Sequence, residues 1–293
     1  MTAVPEAAPR VRVWPGRARL PVVLAALAFI GLFAQPAALL ARDWWNDSEA
    51  GHGLLLAPLA LWLAWRDRPR DPAEPNPVFG TAVLVAAILL RYVAGLAAEL
   101  FTLRFSIVLA LAGLTIFWLG ERQVRRWWLP FALLTLSIPL PALVTNALTL
   151  PLQFKASAIG AALLDWRHVP VRLSGNVIQL PGRQLFVTEA CSGIRSLVAL
   201  ISLGVLVGGL WLRTPIGRLA VLALAVPVAV AVNAVRVFLT GFLVYFLNPA
   251  LGEGFMHLTE GWLLFLIAFS VLAAGAWGVG MLERLALRAR HAE

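Results

Sequence analysis

The 293-residue chain has one cysteine, Cys191, set in Thr188-Glu189-Ala190-Cys191-Ser192-Gly193-Ile194-Arg195-Ser196, where the polar stretch 150–190 runs into an apolar helix. A helix start presents unpaired N–H groups and the positive end of a dipole, which favour a thiolate over a thiol. Arg195, four residues on, shares that helical face and adds a cation. The plainer alternative is a buried, inert thiol at a helix end. Arg236 falls within the apolar run 217–247. A central arginine there costs about 2.5–3.5 kcal/mol on insertion scales, so such residues face a bundle interior or a water-filled cavity. Asn233, three residues earlier, lies on the same face. His257 stands at the mouth of the run 258–281, with Glu260 three residues on and Gly261-Trp262 following. A histidine takes and returns protons near neutral pH, and Glu260 is spaced to orient it. A thiolate, a cation and a proton carrier form a set suited to acyl transfer, although spacing alone leaves open whether they converge. His52 and His168 read as interfacial, and Arg91, with no polar company, as structural.

The elements that must position these residues are membrane helices. Hydrophobic residues make up 60% of the chain and charged ones 13%, with mean hydropathy +0.83, which excludes a soluble globular domain. The fold class expected is an all-α polytopic membrane protein with about eight spans: 20–41, 52–65, 78–98, 103–119, 127–149, 193–212, 217–247 and 258–281. Residues 1–19 would form an N-terminal tail, 20–281 a single membrane domain, and 282–293 a C-terminal tail. The first span exceeds a signal-peptide core in length and reads as a retained anchor. Arg42 to Glu49 reads as a polar loop, and Pro139 and Pro141 are expected to kink or break the fifth span near its far end. Within 150–190, Gln153–Trp166 suits an interfacial helix. The β-rich runs after it, punctuated by Ser174-Gly175 and Pro181-Gly182, suit a small hairpin or meander.

The formal charge of +9 does not signal nucleic acid, because the arginines lie in short loops between apolar runs. Fifteen of them (10, 12, 17, 19, 66, 68, 70, 122, 125, 126, 213, 218, 284, 288 and 290) fall in loops on the N-terminal side. Opposite stand Arg42, Arg104, Lys155, Arg167, Arg172 and Arg183. Positive charge marks the cytoplasmic face, so both termini are expected inside, with 150–190, Cys191, His52 and His257 outside. A single cysteine excludes an internal disulfide, a CxxC redox pair and a cysteine zinc motif, and no cofactor or metal is expected.

The cysteine block, then Asn233-Ala234-Val235-Arg236-Val237, then His257 ahead of Glu260-Gly261-Trp262, resemble the three signature blocks of the exosortase/archaeosortase family. Ser48 to Gly53, with His52, resembles a further family feature more loosely, and the resemblance spans roughly 40–280. It implies a bacterial inner-membrane cysteine protease or transpeptidase in which Cys191 is the nucleophile and Arg236 and His257 its partners. The implied substrates are secreted proteins with a C-terminal tripartite signal: a short motif such as Pro-Glu-Pro (PEP-CTERM), a transmembrane helix and a basic cluster. A lipid or exopolysaccharide could serve as acceptor in place of water. Some members carry an extra soluble C-terminal domain, whose function is here expected to come from elsewhere. The rival readings are a transporter or channel with Arg236 on a solute path, a quinone-coupled thiol oxidase, and a scaffold for polysaccharide export. Against the first stands the absence of repeat symmetry, against the second the single cysteine, and the third leaves the cysteine block unexplained.

Overall fold

A proline inside an apolar helix leaves the carbonyl four residues earlier without its donor, and in a bilayer no water replaces it. That rule organises much of this bundle. A computed structural model describes residues 19–47, 50–69, 73–187, 194–247 and 254–290; for 19–22, 254–261, 287, 289 and 290 it describes the backbone alone. The helices are α1 (Arg19–Asn46), α2 (Gly53–Arg66), α3 (Pro77–Leu96), α4 (Leu100–Leu119), α5 (Glu121–Arg126), α6 (Trp128–Leu136) and α7 (Ala142–Trp166). A three-stranded antiparallel meander of β1 (Arg172–Ser174), β2 (Val177–Leu180) and β3 (Arg183–Phe186) follows, then α8 (Ile194–Trp211), α9 (Pro215–Phe246) and α10 (Gly254–Arg290). Among the described residues, seven helices are long and apolar enough to cross a membrane: all but α2, α5 and α6. Leu61, Leu89, Val93 and Leu266 remain exposed on helix faces that lipid would cover. The protein is therefore an all-α polytopic membrane protein with one small sheet.

The run 127–149 breaks where the prolines were expected to interrupt it: α6 ends at Leu136, since Pro139 and Pro141 push Ile138 and Leu140 out of the helical region. Three boundaries differ from the sequence expectation. The chain restarts at Ala142 and continues unbroken through Gln153, so the expected interfacial helix is the second half of α7. Pro151 forfeits one bond without dividing α7. The loop expected from Arg42 begins as helix, because α1 persists to Asn46. Likewise α10 runs past 281 to Arg290, so most of the expected C-terminal tail is helical.

The missing proline donors are supplied from neighbouring helices. Pro36 of α1 has no N–H for Leu32, and the Leu32 carbonyl accepts instead from Arg91 Nε of α3. Arg91 is thus structural, and it also stacks 5.4 Å from the Tyr92 ring centre. At the end of α6, Pro141 has no N–H for Ser137, whose carbonyl accepts from Trp44 Nε1 at 2.7 Å. The Leu136 carbonyl accepts from His52 Nε2 at 3.0 Å. Gly53 completes this joint: a Cβ there would stand 2.1 Å from the Trp44 ring.

Contacts at the two ends of the bundle sort the charges. At one end Arg126 bonds the Asp67 carboxylate, Arg218 lies 4.7 Å over the Trp128 ring, and Glu283 accepts from the N–H groups of Arg213 and Thr214. The basic loops gather there. At the other end lie the Arg104–Asp43 ion pair, the α6–α7 break and the sheet. α8 packs on the first half of α9, with Gly208 against Arg218 and Gly204 against Val221. α7 instead packs on its last third, with Gly160 against Val237 and Leu164 against Gly241. α7 therefore stays at the sheet end and does not reach the basic loops.

Glu99 caps α4, accepting from the N–H of Phe101 at 3.1 Å and of Thr102 at 2.6 Å. Burial opposes its ionisation, but the Thr102 and Phe101 donors and Arg104 outweigh it and hold the carboxyl below its ordinary value. A depressed acid stabilises the fold above its unfolded pKa and loses that contribution as pH falls through the folded one. Glu99→Ala should lower stability by about 1 kcal/mol near neutrality. The gap from the parent should begin to narrow as pH falls below the ordinary glutamate range, at about pH 4.3, and go on closing below it, in thermal unfolding of the detergent-solubilised protein. A gap independent of pH would refute the charged cap. Arg91→Met should cost about 1–3 kcal/mol by orphaning the Leu32 carbonyl. Pro36→Ala restores a backbone donor, so the same Arg91 change should cost less in that background; a double-mutant cycle of unfolding free energies with no coupling would refute the substitution of donors.

Candidate functional site

Cys191, with Thr188 to Gly193, lies outside the described residues, but both flanks of the segment are fixed. Upstream, Val187 is 1% exposed and packs with Ile178 and Leu180 of the sheet, Ala156, Ala161 and Leu164 of α7, and Val237 of α9. Downstream, Ile194 opens α8 and is buried, and Leu197, one turn later, packs with Val228 and Ala229 of α9. The sequence folds this way locally because β2 alternates half-buried and buried residues, laying Ile178 and Leu180 on the helices. Along α9, Arg236 lies between the contact levels of the two flanks.

Arg236 is half-buried, while Asn233 and Thr240 are 6% and 4% exposed. Spacings of three and four residues place the trio on one face of α9, and each of the three engages in an interaction of its own. Thr240 was not singled out from the sequence; its signal was a hydroxyl one turn beyond an intramembrane arginine. α10 runs antiparallel to α9, with Glu283 at Thr214 and Gly275 against Leu224. Carried upward at equal rise, that register sets position 257 level with the last turns of α9, beyond Arg236. The side chains of His257 and Glu260 lie outside the described residues. His168 is exposed in the turn after α7, with φ of 61°, and packs into no site.

Beside the cysteine segment a cleft of about 780 Å³ opens between the start of α4 and the starts of α7 and α8. Arg195 lines it and is exposed, and His52 lines it from the start of α2. Its remaining polar wall is Asp43, Asp47, Glu99, Thr102, Arg104, Thr145, Asn146 and Thr149, with Phe101, Leu140 and Leu143 among the apolar residues. Asn233 and Arg236 do not line it. His52 Nε2 must carry a hydrogen to reach the Leu136 carbonyl, so that nitrogen is a fixed donor. Asp43 neutralises Arg104, and Glu99 is committed to its helix cap. The polar residues of α7 could have been found from sequence as hydroxyls and an amide at positions 145, 146 and 149 of an apolar run. Asp43, Glu99 and Arg104 carry no such signal, since each is unremarkable until the helices meet. Among the described residues, no group of three or more His, Cys, Asp and Glu side chains is placed to hold a metal ion.

A family model described as transmembrane exosortase matches residues 44–274, from Trp44 through the sheet, the cysteine segment, Arg236 and His257 into α10. No curated protein and no solved structure matches. The matched stretch is well over half of the chain and takes in every residue singled out for chemistry: the protein belongs to the transmembrane exosortase family.

Proposed function

We propose that the chain is a cysteine peptidase or transpeptidase of the bacterial inner membrane. It would cleave and sort secreted proteins that carry a C-terminal motif, transmembrane helix and basic cluster. The observation that carries this reading is the family match over 44–274, which spans all three reactive blocks. The gathering of basic loops at one end of the bundle supports termini in the cytoplasm, with the sheet and cleft outside.

In this reading the Cys191 thiolate attacks the substrate's scissile carbonyl. The new S–C bond gives a tetrahedral oxyanion, which Arg236 stabilises. His257 protonates the departing amine as the C–N bond breaks, leaving a thioester on Cys191 and releasing the membrane-anchored C-terminus of the substrate. The imidazole then takes a proton from the acceptor hydroxyl, of water, a lipid or a glycan. That oxygen attacks the thioester and regenerates the thiolate. Glu260 orients His257, Asn233 braces Arg236, and Arg195 favours the thiolate. The cleft beside Arg195 receives the chain ahead of the scissile bond, with His52 as part of its wall.

Cys191→Ala and Cys191→Ser should each abolish processing of a tripartite-tail substrate, followed as accumulation of full-length substrate on a blot of membranes, with insertion checked in parallel. Serine keeps the shape but offers a hydroxyl of far higher pKa. Arg236→Lys should lose most activity, because lysine lacks the planar fork that donates two bonds at once. His257→Ala should slow both acylation and resolution, and His52→Ala should do less. Normal processing by Cys191→Ala would rule the mechanism out. Separately, a reporter inserted at the β1–β2 turn should be active only when exported; cytoplasmic activity would overturn the orientation.

A further inference from the structure

We propose that Asn176 and Gln153 are positioning residues for Cys191: their side-chain amides fix Val187, the point from which the chain leaves the sheet toward the cysteine. This rests on the reading of Cys191 as the nucleophile. The ladder between β2 and β3 pairs Val177 with Phe186, so the next pair is Asn176 with Val187. Val187 N–H donates to the Asn176 carbonyl at 3.0 Å. The return bond comes from a side chain: Asn176 Nδ2 donates to the Val187 carbonyl at 3.2 Å. The second hydrogen of the same amide goes to Gln153 Oε1 on α7, at 3.3 Å.

One NH₂ group thus joins the last rung of the sheet to α7, at the carbonyl of the residue that precedes the cysteine segment. Gln153 is 4% exposed and Val187 1%, so the rung sits away from bulk water, where a mispaired carbonyl has nothing else to accept from. Strand register has a period of two, so a slip of one residue at this rung would turn the following chain to the opposite face. Ile194 pins the other end. With both ends held, the amide bond at Val187 sets the direction in which the segment departs. The requirement is for a donor of this shape. Asn176→Asp keeps the shape but points oxygen at two carbonyl oxygens, and protonation of that carboxylate would return one O–H donor.

The test uses the full-length protein in membranes and its one cysteine, so that alkylation by a maleimide reports on Cys191 alone. Asn176→Asp and Asn176→Ala should each shift the pH midpoint of alkylation per folded molecule. Each should also lower kcat for substrate processing roughly ten- to a hundredfold with little change in KM, as expected of a misplaced nucleophile. Asn176→Asp, unlike Asn176→Ala, should recover part of its activity as pH is lowered. A role in stability alone predicts less folded protein with an unchanged alkylation profile and kcat per folded molecule, and that result overturns the proposal. Should the Asn176 variants fail to insert, Gln153→Leu keeps the rung but releases the amide from α7. It should then shift the alkylation profile in the same direction by a smaller amount, and an unchanged profile would be equally fatal. Processing by Cys191→Ala would sink the enzyme reading instead, and the alkylation arm still judges the positioning claim.

Discussion

Every backbone carbonyl within the bilayer must find a donor within the protein, because the hydrocarbon offers none, and that demand explains three of the side chains that reach from one helix to the next. Leu32, Leu136 and Ser137 are left bare by prolines or by the helix end that prolines impose, and Arg91, His52 and Trp44 reach across to them. These bonds also decide which helices are neighbours. Arg91 ties α3 to α1, while Trp44 and His52 tie the end of α1 and the start of α2 to α6. The cleft lies beside the interruption between α6 and α7, which the second pair of ties spans. A break in a helix is thus the source of the open space, and His52, one of the two donors that repair it, forms part of the wall.

The same demand separates two kinds of intramembrane arginine. Arg91 has a carbonyl waiting for it, created by Pro36, and its charge rests against a tyrosine ring. Arg236 stands in a different setting, in a row with Asn233 and Thr240 on one face of α9, at the level where the cysteine segment begins and ends. A proline four residues past a carbonyl is a sequence-level cue that a polar side chain elsewhere serves the fold. No proline stands in that relation to Arg236's neighbours on α9, where Pro227 lies upstream. The Leu32 bond therefore assigns Arg91 to architecture, and the part of Arg236 in chemistry belongs to the function proposed above.

Helix identity was legible in the sequence because apolar run length and proline position act locally. The meander was legible because turn residues punctuate β-branched runs. The break at Pro139 and Pro141 was legible, but the continuity of α7 through Pro151 was not: it depends on packing against Val237 and Gly241, nearly a hundred residues downstream. The persistence of α1 to Asn46 likewise depends on partners in other helices, Arg104 for Asp43 and Ser137 for Trp44. Cys191, Arg236 and His257 could be named from residue type and setting. The cleft could not, since Glu99, Asn146 and Arg195 come together only when separate helix ends meet.

A small sheet in an otherwise helical membrane protein has a physical rationale here. A helix N-terminus fixes the residues that follow it but says little about the direction from which the chain arrives. The β2–β3 ladder supplies that direction, because each rung holds the strand in two dimensions and Ile178 and Leu180 bolt it to α7. Its last rung, closed by the Asn176 amide, is also anchored through Gln153 to the helix that forms one side of the cleft. The sheet and α8, the two elements that flank the cysteine segment, therefore pack on the same helix, α9, the one that carries Arg236. Movement of α7 relative to α9 would carry the sheet with it and displace one end of the segment while Ile194 held the other. The close fit of Gly160 on Val237 resists that movement: a Cβ at Gly160 would stand 2.7 Å from the valine side chain, forcing the helices apart. Contact between α7 and α9, far in sequence from the cysteine, thereby fixes the edge of the sheet at Val187, from which the chain leads on to it.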